Sequence, residues 1–225
     1  MERFIDIHSH SIRQDYFAIV NLFAHNIPNP TEINYPVSVG IHPWNIKELD
    51  LNAALQNQRF LIENSKNVVA IGECGLDRNI PLSIEKQIEV FTNQVDIANE
   101  FELPVIIHCV RSYADFFQIM KTGINNTPWI FHGFRGNYQI AKRIVDFGAY
   151  ISIGSAILNA DQKMNEVIKK IPLQRFFLET DESKQSIEDM YQVFAKIRNI
   201  SVNELTHQIY QNFYYNFNYV IRKLD

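Results

Sequence analysis

Short, mostly apolar runs recur along the chain, and each stops at a group that can ionise. Phe4-Ile5-Asp6-Ile7 runs into His8-Ser9-His10, Val68-Val69-Ala70-Ile71-Gly72 into Glu73, and Val105-Ile106-Ile107 into His108. Trp129-Ile130-Phe131 meets His132, and Phe176-Phe177-Leu178 meets Glu179-Thr180-Asp181. Runs without polar alternation read as strands buried on both faces, as in parallel sheets. Between them lie segments of helical period. Ile84, Ile88, Phe91, Val95, Ala98 and Phe101 form one stripe with Ser83 as N-cap. Asn137 opens a helix through Ile140, Ile144 and Phe147, with Gly148 placed to end it. Ser201-Val202-Asn203-Glu204 has capping-box form before a helix carrying Leu205 and Ile209.

Strand ends near His8, His42, Glu73, His108, His132, Gly154 and Asp181 are 34, 31, 35, 24, 22 and 27 residues apart, each step long enough for a strand-helix unit. Strand then helix, repeated, argues for parallel α/β architecture, and carboxyl-terminal strand ends converge on one rim only in a closed barrel. The apolar run Tyr16 to Phe23 follows His10 too closely for a crossover helix. Either that run pairs antiparallel or irregularly, or the barrel lacks its first helix; the favoured fold is an eight-stranded (β/α)8 TIM-type barrel, shortened near the N-terminus where the first crossover helix is missing. Residues 1–225 are expected to form that one domain.

Composition narrows the class. The chain of 225 residues is 46% hydrophobic and 20% charged, with no apolar run near the ~20 residues that span a bilayer. Met1-Glu2-Arg3-Phe4 leads straight into the first strand, which reads as no signal peptide, and two cysteines, Cys74 and Cys109, build no disulfide framework. A cytoplasmic, monomeric protein without membrane contact is expected. The net charge of −4, with no basic cluster, excludes a broad basic nucleic-acid face. A polyanionic substrate would need bound cations and a few local arginines.

The strand-end residues supply that chemistry. His8 and His10, two apart on a strand, point to one side. Imidazole suits zinc and other first-row ions, and carboxylates extend the range to manganese or magnesium. Glu73 can bridge two ions, with His108 and His132 completing the second. Asp181 can bind a metal and accept a proton from water. A lone buried histidine is ordinarily a hydrogen-bonded core residue, and it is the recurrence at matched positions that points to a metal site.

The segments DIHSH (Asp6–His10), GIHP (Gly40–Pro43), GECGLD (Gly72–Asp77), PVIIHCVR (Pro104–Arg111), HGFRG (His132–Gly136) and ETD (Glu179–Asp181) resemble, in order, the motif series of TatD-related metal-dependent deoxyribonucleases, within the amidohydrolase-like barrels. Asn212 to Phe217 resembles that family's closing signature. The resemblance implies one ion on His8, His10, Glu73 and Asp181 and another on Glu73, His108 and His132. It also implies that His42 faces the substrate phosphate or leaving group. A structural loop role for His42, ahead of Pro43, is the alternative.

Arg111 is placed to fork onto a phosphate, or to close a salt bridge at the next helix. Asp77 reads as holding the GECGLD segment by hydrogen bonds, and Gly72 and Gly75 as letting backbone pass close to Glu73. Three departures from the family pattern stand out: Ser183 where proline is usual, Arg135 in place of a serine, and a shorter stretch between HxH and GIHP. No ligand is lost, and Arg135 becomes a candidate phosphate contact or a solvated side chain.

Cys74 and Cys109 read as packing, His25 and His207 as surface, and Phe213, Tyr214, Tyr215, Phe217 and Tyr219 chiefly as anchors for the last helix. The leading expectation is a hydrolase using two divalent ions (Mg, Mn or Zn) on phosphodiester bonds of DNA, with 3'-5' exonuclease action. The catalytic residues would be Asp181, Glu73 and His42, and the substrate contacts His42, Arg111 and Arg135. An amidohydrolase or esterase with the same centre is the alternative. Glu73, standing where such enzymes carry a modified lysine, favours phosphoesters. A scaffold with a dead site is the third reading, opposed by the complete ligand set.

Overall fold

The apolar runs do become buried strands. In the computed structural model, which describes residues 3–13 and 15–224 and side chains as far as Phe217, eight strands form one sheet. They are β1 (Ile5–Ser9), β2 (Phe17–Phe23), β3 (Val37–Gly40), β4 (Val68–Asp77), β5 (Val105–Val110), β6 (Trp129–Phe131), β7 (Tyr150–Ile153) and β8 (Phe176–Leu178). Every neighbouring pair is parallel and the order is sequential, β1 to β8. The ring closes where β1 meets the segment after β8. Ser9 bridges Asp181 in parallel, and the Asp181 amide donates to the His8 carbonyl at 2.9 Å. This is a TIM-type barrel.

Helices cover the outside from β3 onward: α1 (Leu51–Asn64), α2 (Ile84–Glu100), α3 (Tyr113–Lys121), α4 (Tyr138–Asp146), α5 (Gln162–Lys170), α6 (Ile187–Arg198) and α7 (Val202–Leu224). The expected caps form. Ser83 accepts from the Lys86 amide, Asn137 from Ile140 and Ser201 from Glu204, while Gly148 takes φ +85° after α4. Strands buried on both faces need this jacket, because neither face can be left to water.

The N-terminal quarter departs from the repeat further than expected. Among the described residues, the β1–β2 connection carries no helix, and β2–β3 has only a 3-10 turn at Pro30–Glu32. Two crossover helices are absent there, not one. The first link still reaches. Ile5 pairs with Phe17, so the eight steps from Ser9 to Phe17, about 26 Å if extended, must return only about 13 Å along the strand. The dozen-residue minimum applies to a link that holds a helix.

The last helix is pinned as expected by Phe213 and Phe217, whose rings lie 4.9 Å from Phe17 and 6.3 Å from Phe177. Asn212 donates to the Leu173 and Phe176 carbonyls, fixing α7 beneath β8. Tyr214 and Tyr215 face outward, and the side chain of Tyr219 lies outside the described residues. Among the described residues, no helix is long and apolar enough to cross a membrane.

Candidate metal centre

The strand ends bring His8, His10, His42, Glu73, His108, His132 and Asp181 to one mouth of the barrel. Glu73 lies at its centre, 5% exposed. Its two oxygens face different neighbours. Oε2 lies 3.4 Å from His8 Nε2 and 3.8 Å from His10 Nε2. Oε1 lies 2.6 Å from His108 Nδ1, 2.8 Å from His132 Nε2 and 3.2 Å from His42 Nε2. Asp181 Oδ1 completes the first side, 3.6 Å from His8 and 3.4 Å from His10. Among the described residues, three sets offer atoms close enough to share an ion: His8–His10–Asp181, His8–Glu73–His132 and His42–Glu73–His108.

Backbone geometry explains how Glu73 reaches the middle. The residue was expected at the end of its strand, yet β4 continues to Asp77, with a register shift against β5 between Ile71 and Cys74. Gly72 (φ +136°) and Gly75 (φ +151°) flank the irregularity, and a Cβ on Gly75 would meet the His108 carbonyl oxygen at 2.0 Å. Only glycine permits both that φ and that approach. Asn21 on β2 accepts from the Glu73 amide at 2.6 Å. Asp181 itself sits at φ 54°, a left-handed conformation that aspartate adopts more readily than most residues.

Several groups hold the cluster from behind, and the motif reading assigned most of them no role. His108 turns Nε2 toward Asp77 Oδ2 at 3.4 Å, and His132 turns Nδ1 toward Glu179 Oε1 at 3.3 Å. Glu179 is fully buried and accepts from the Gly133 amide at 2.6 Å. Asp77, expected to tie its segment together, also accepts from Asn79 and from the Trp44 indole at 2.7 Å. Asp6 accepts from the Thr180 amide and hydroxyl and from the His8 amide, joining first strand to last, and burial pushes its carboxyl up to about 7. On α2, buried Gln94 clasps Ile41 and buried Gln87 clasps Asp77, each through both backbone groups.

Strand alternation was the available signal for Asp6, two residues from His8 on the same face of β1. Glu179 lies just past the end of β8, two residues before Asp181, and only its place inside the motif marked it.

Charge in the cluster is coupled. Burial alone would raise the Glu73 carboxyl, but the His132 charge and hydrogen bonds from His10, His108 and His132 hold it well below the carboxylate range. Hydrogen bonds to Asp181 and Glu73 lift His10 to about 9. Burial works against protonation of His132, yet Glu73 and Glu179 raise it well above an ordinary imidazole. Burial lowers His42. The anionic carboxylate thus attracts positive charge from several imidazoles at once.

A divalent cation fits this donor set, and His8 tests the fit. Its ring is fully buried, and neither nitrogen has a hydrogen-bond partner. An unsatisfied buried polar group costs about 1–3 kcal/mol, a cost that coordination would remove.

Two arginines were candidate substrate contacts. Arg135 is exposed and lines a cavity of about 220 Å³ with Gly154, Ser155, Thr180 and Asp181. Arg111, at φ 53°, is exposed, lines neither cavity at the mouth, and makes no ion pair among the described residues. A second cavity of about 220 Å³ opens over His10, His42, Glu73, His108 and His132 and meets the first at Asp181 and Glu182. Cys74 is buried and Cys109 half-buried, both free thiols, and His25 and His207 lie at the surface.

The family profile described as TatD related DNase matches residues 29–218. An uncharacterized metal-dependent hydrolase of Haemophilus influenzae is 35% identical over 154 residues, covering 66% of this chain and 59% of that protein. The 3'-5' ssDNA/RNA exonuclease TatD of Salmonella typhimurium is 30% identical over 148 residues, 64% of this chain and 56% of that one. The chain thus spans a little under three fifths of the length of these two relatives. Among solved structures, the TatD homologue YjjV of Escherichia coli superposes with a TM-score of 0.82 at 25% identity, covering 96% of this chain and 98% of that one. The chain belongs to the TatD-related DNase family.

Proposed function

We propose that this protein is a divalent-metal-dependent phosphodiesterase that removes nucleotides from the end of a nucleic-acid strand, and that its cluster holds two ions. The observation that carries the proposal is the Glu73 carboxylate, whose oxygens address different donors: the His8 and His10 rings near Oε2, with Asp181 beside those two rings, and His108, His132 and His42 near Oε1. Magnesium, manganese and zinc all suit a mixed imidazole and carboxylate set. Divalent ions held there would supply Lewis acidity toward a phosphoryl oxygen and bring the pKa of water close to neutrality. The exonuclease named for the Salmonella relative supports the choice of substrate.

The chain's own residues divide the remaining work. Asp181 lies at the border of the two cavities with its side chain 41% exposed. Although burial opposes it, the hydrogen bond from His10 keeps this carboxylate ionised at neutral pH, ready to take a proton from water. His42 acts as a donor to substrate rather than as a ligand, although its distances admit either role. Its Nδ1 accepts from the Trp44 amide, so the neutral ring that burial favours carries its proton on Nε2, which lies 3.2 Å from Glu73 Oε1 and would turn from that carboxylate to a substrate oxygen in the cavity. Arg135 receives a phosphate beside Asp181, and Arg111 serves a more distant one at the exposed rim. Every side chain of the cluster comes from a single chain, which supports action as a monomer. Two free thiols are compatible with the reducing cytoplasm.

The test is cleavage of end-labelled single- and double-stranded DNA and RNA with magnesium, manganese or zinc, beside Glu73→Ala. Shortening from the 3' end, dependent on metal and absent in the variant, is expected. Hydrolysis of amides or carboxylic esters without cleavage of any nucleic acid would overturn the reading.

A further inference from the structure

Most exposed aromatic rings on this surface lie away from the metal cluster, Phe60 on α1 and Tyr215 on α7 among them. Trp44 does not. It is 63% exposed, yet it borders the cavity that opens over His10, His42, Glu73, His108 and His132. Single exposed apolar side chains are ordinary, but free ones are not usually fixed in place. The Trp44 indole N–H donates to the buried Asp77 carboxylate at 2.7 Å, and the His42 ring meets the indole edge-on at 4.9 Å. A second ring, Phe23, lines the same cavity near His10, at 6.2 Å, and stacks on His25 at 5.6 Å. The mouth thus carries a fixed indole beside His42 and a phenyl ring beside His10, with the carboxylate of Glu73 below.

Resting on the nuclease reading above, we infer that Trp44 is the stacking platform for an unpaired nucleobase next to the phosphate being cleaved, and that it makes the site selective for single-stranded ends. A base inside a duplex already stacks on its neighbours and has no free face for a ring at the rim. An unpaired terminal base has one, and every base offers a π-face, so the preference is for strandedness rather than sequence. The same residue contributes a second effect, because its N–H orients Asp77, which lies against His108. The experiment must separate ring from N–H.

Trp44→Phe keeps a ring and loses the hydrogen bond to Asp77, whereas Trp44→Leu loses both. Binding of a single-stranded oligodeoxynucleotide is measured in the presence of chelator, where no cleavage occurs, and KM and kcat are measured with metal. The chain has two tryptophans, and Trp129 is 1% exposed, so fluorescence quenching on titration reports Trp44. Quenching in the wild type is expected, with roughly tenfold weaker binding and higher KM in Trp44→Leu, as for loss of one stacked base. Most of that loss is recovered in Trp44→Phe. The penalty of Trp44→Leu should also shrink on an oligonucleotide whose terminal residue is abasic. Equal binding by wild type and Trp44→Leu, or equal defects in Leu and Phe variants, overturns the stacking role while leaving metal-dependent cleavage by the wild type intact. A wild type that neither binds nor cleaves the strand overturns this inference and the nuclease reading together.

Discussion

On the Oε1 side of Glu73 each imidazole is held from behind, and on the Oε2 side none is. His108 turns its outer nitrogen to Asp77, His132 turns its own to Glu179, and His42 accepts from the Trp44 amide. Across the carboxylate, His8 has two buried nitrogens without a hydrogen-bond partner, and His10 and Asp181 are partly open to solvent. Such outer partners fix the tautomer and direction of a ligating ring, and removing one costs about 10–100-fold in metal affinity. The contrast teaches that one cluster contains a preorganised half and an adjustable half. The adjustable half is the one beside Asp181, at the border of the two cavities. His8, His10 and Asp181 would hold an ion there with less of their order set beforehand.

The largest effect should come from the residue both halves share. Glu73→Gln removes the carboxylate that lies between them, and we expect cleavage to fall by about a thousandfold or more, the equivalent of the several kcal/mol that metal assistance supplies. The rise in melting temperature on adding manganese should disappear with it. If the variant kept its thermal response and its rate, the two halves would be independent sites and the comparison would dissolve.

The contrast between halves is tested by calorimetric titration of manganese into chelator-treated protein. With the proposed pair of ions, two affinities are expected in the wild type. Glu179→Gln should weaken the tighter one by about 10–100-fold, bringing the two together. His10→Ala should weaken only the looser one. A single affinity in the wild type, unmoved by Glu179→Gln, would mean that the hydrogen bond behind His132 does nothing for the metal.

Legibility in the sequence follows the same division. The proposed ligands could be read because ionisable groups ended apolar runs, and periodicity placed α2, α4 and the start of α7 with their caps. The supporting groups were harder to read because their role depends on which way a side chain points. Asp6 and Glu179 stood inside quoted motifs, and alternation along β1 would have aimed Asp6 to the side of His8, whereas Glu179 lies past the end of β8. Gln87 and Gln94 gave less to work with. Polar residues amid an apolar helical stripe look like its solvent edge until two strand ends are known to need their amides. The extension of β4 through Asp77 was hidden by two glycines that read as a bend, and the bare β2–β3 link by a spacing that could have held a helix.

The smallest effect is expected where support is given to both halves equally. Asn21 accepts from the Glu73 amide at 2.6 Å and is itself 7% exposed, so Asn21→Ala leaves that buried N–H without its partner. The cost should be about 1–3 kcal/mol, or a fall in melting temperature of roughly 2–12 °C for a chain of this length. Because the bond holds the backbone of the shared carboxylate rather than either set of histidines, both manganese affinities should weaken together and their ratio should hold. A variant that loses one affinity and keeps the other would show that the Glu73 backbone leans on β2 for one half only. The asymmetry would then begin in the main chain, upstream of Asp77 and Glu179.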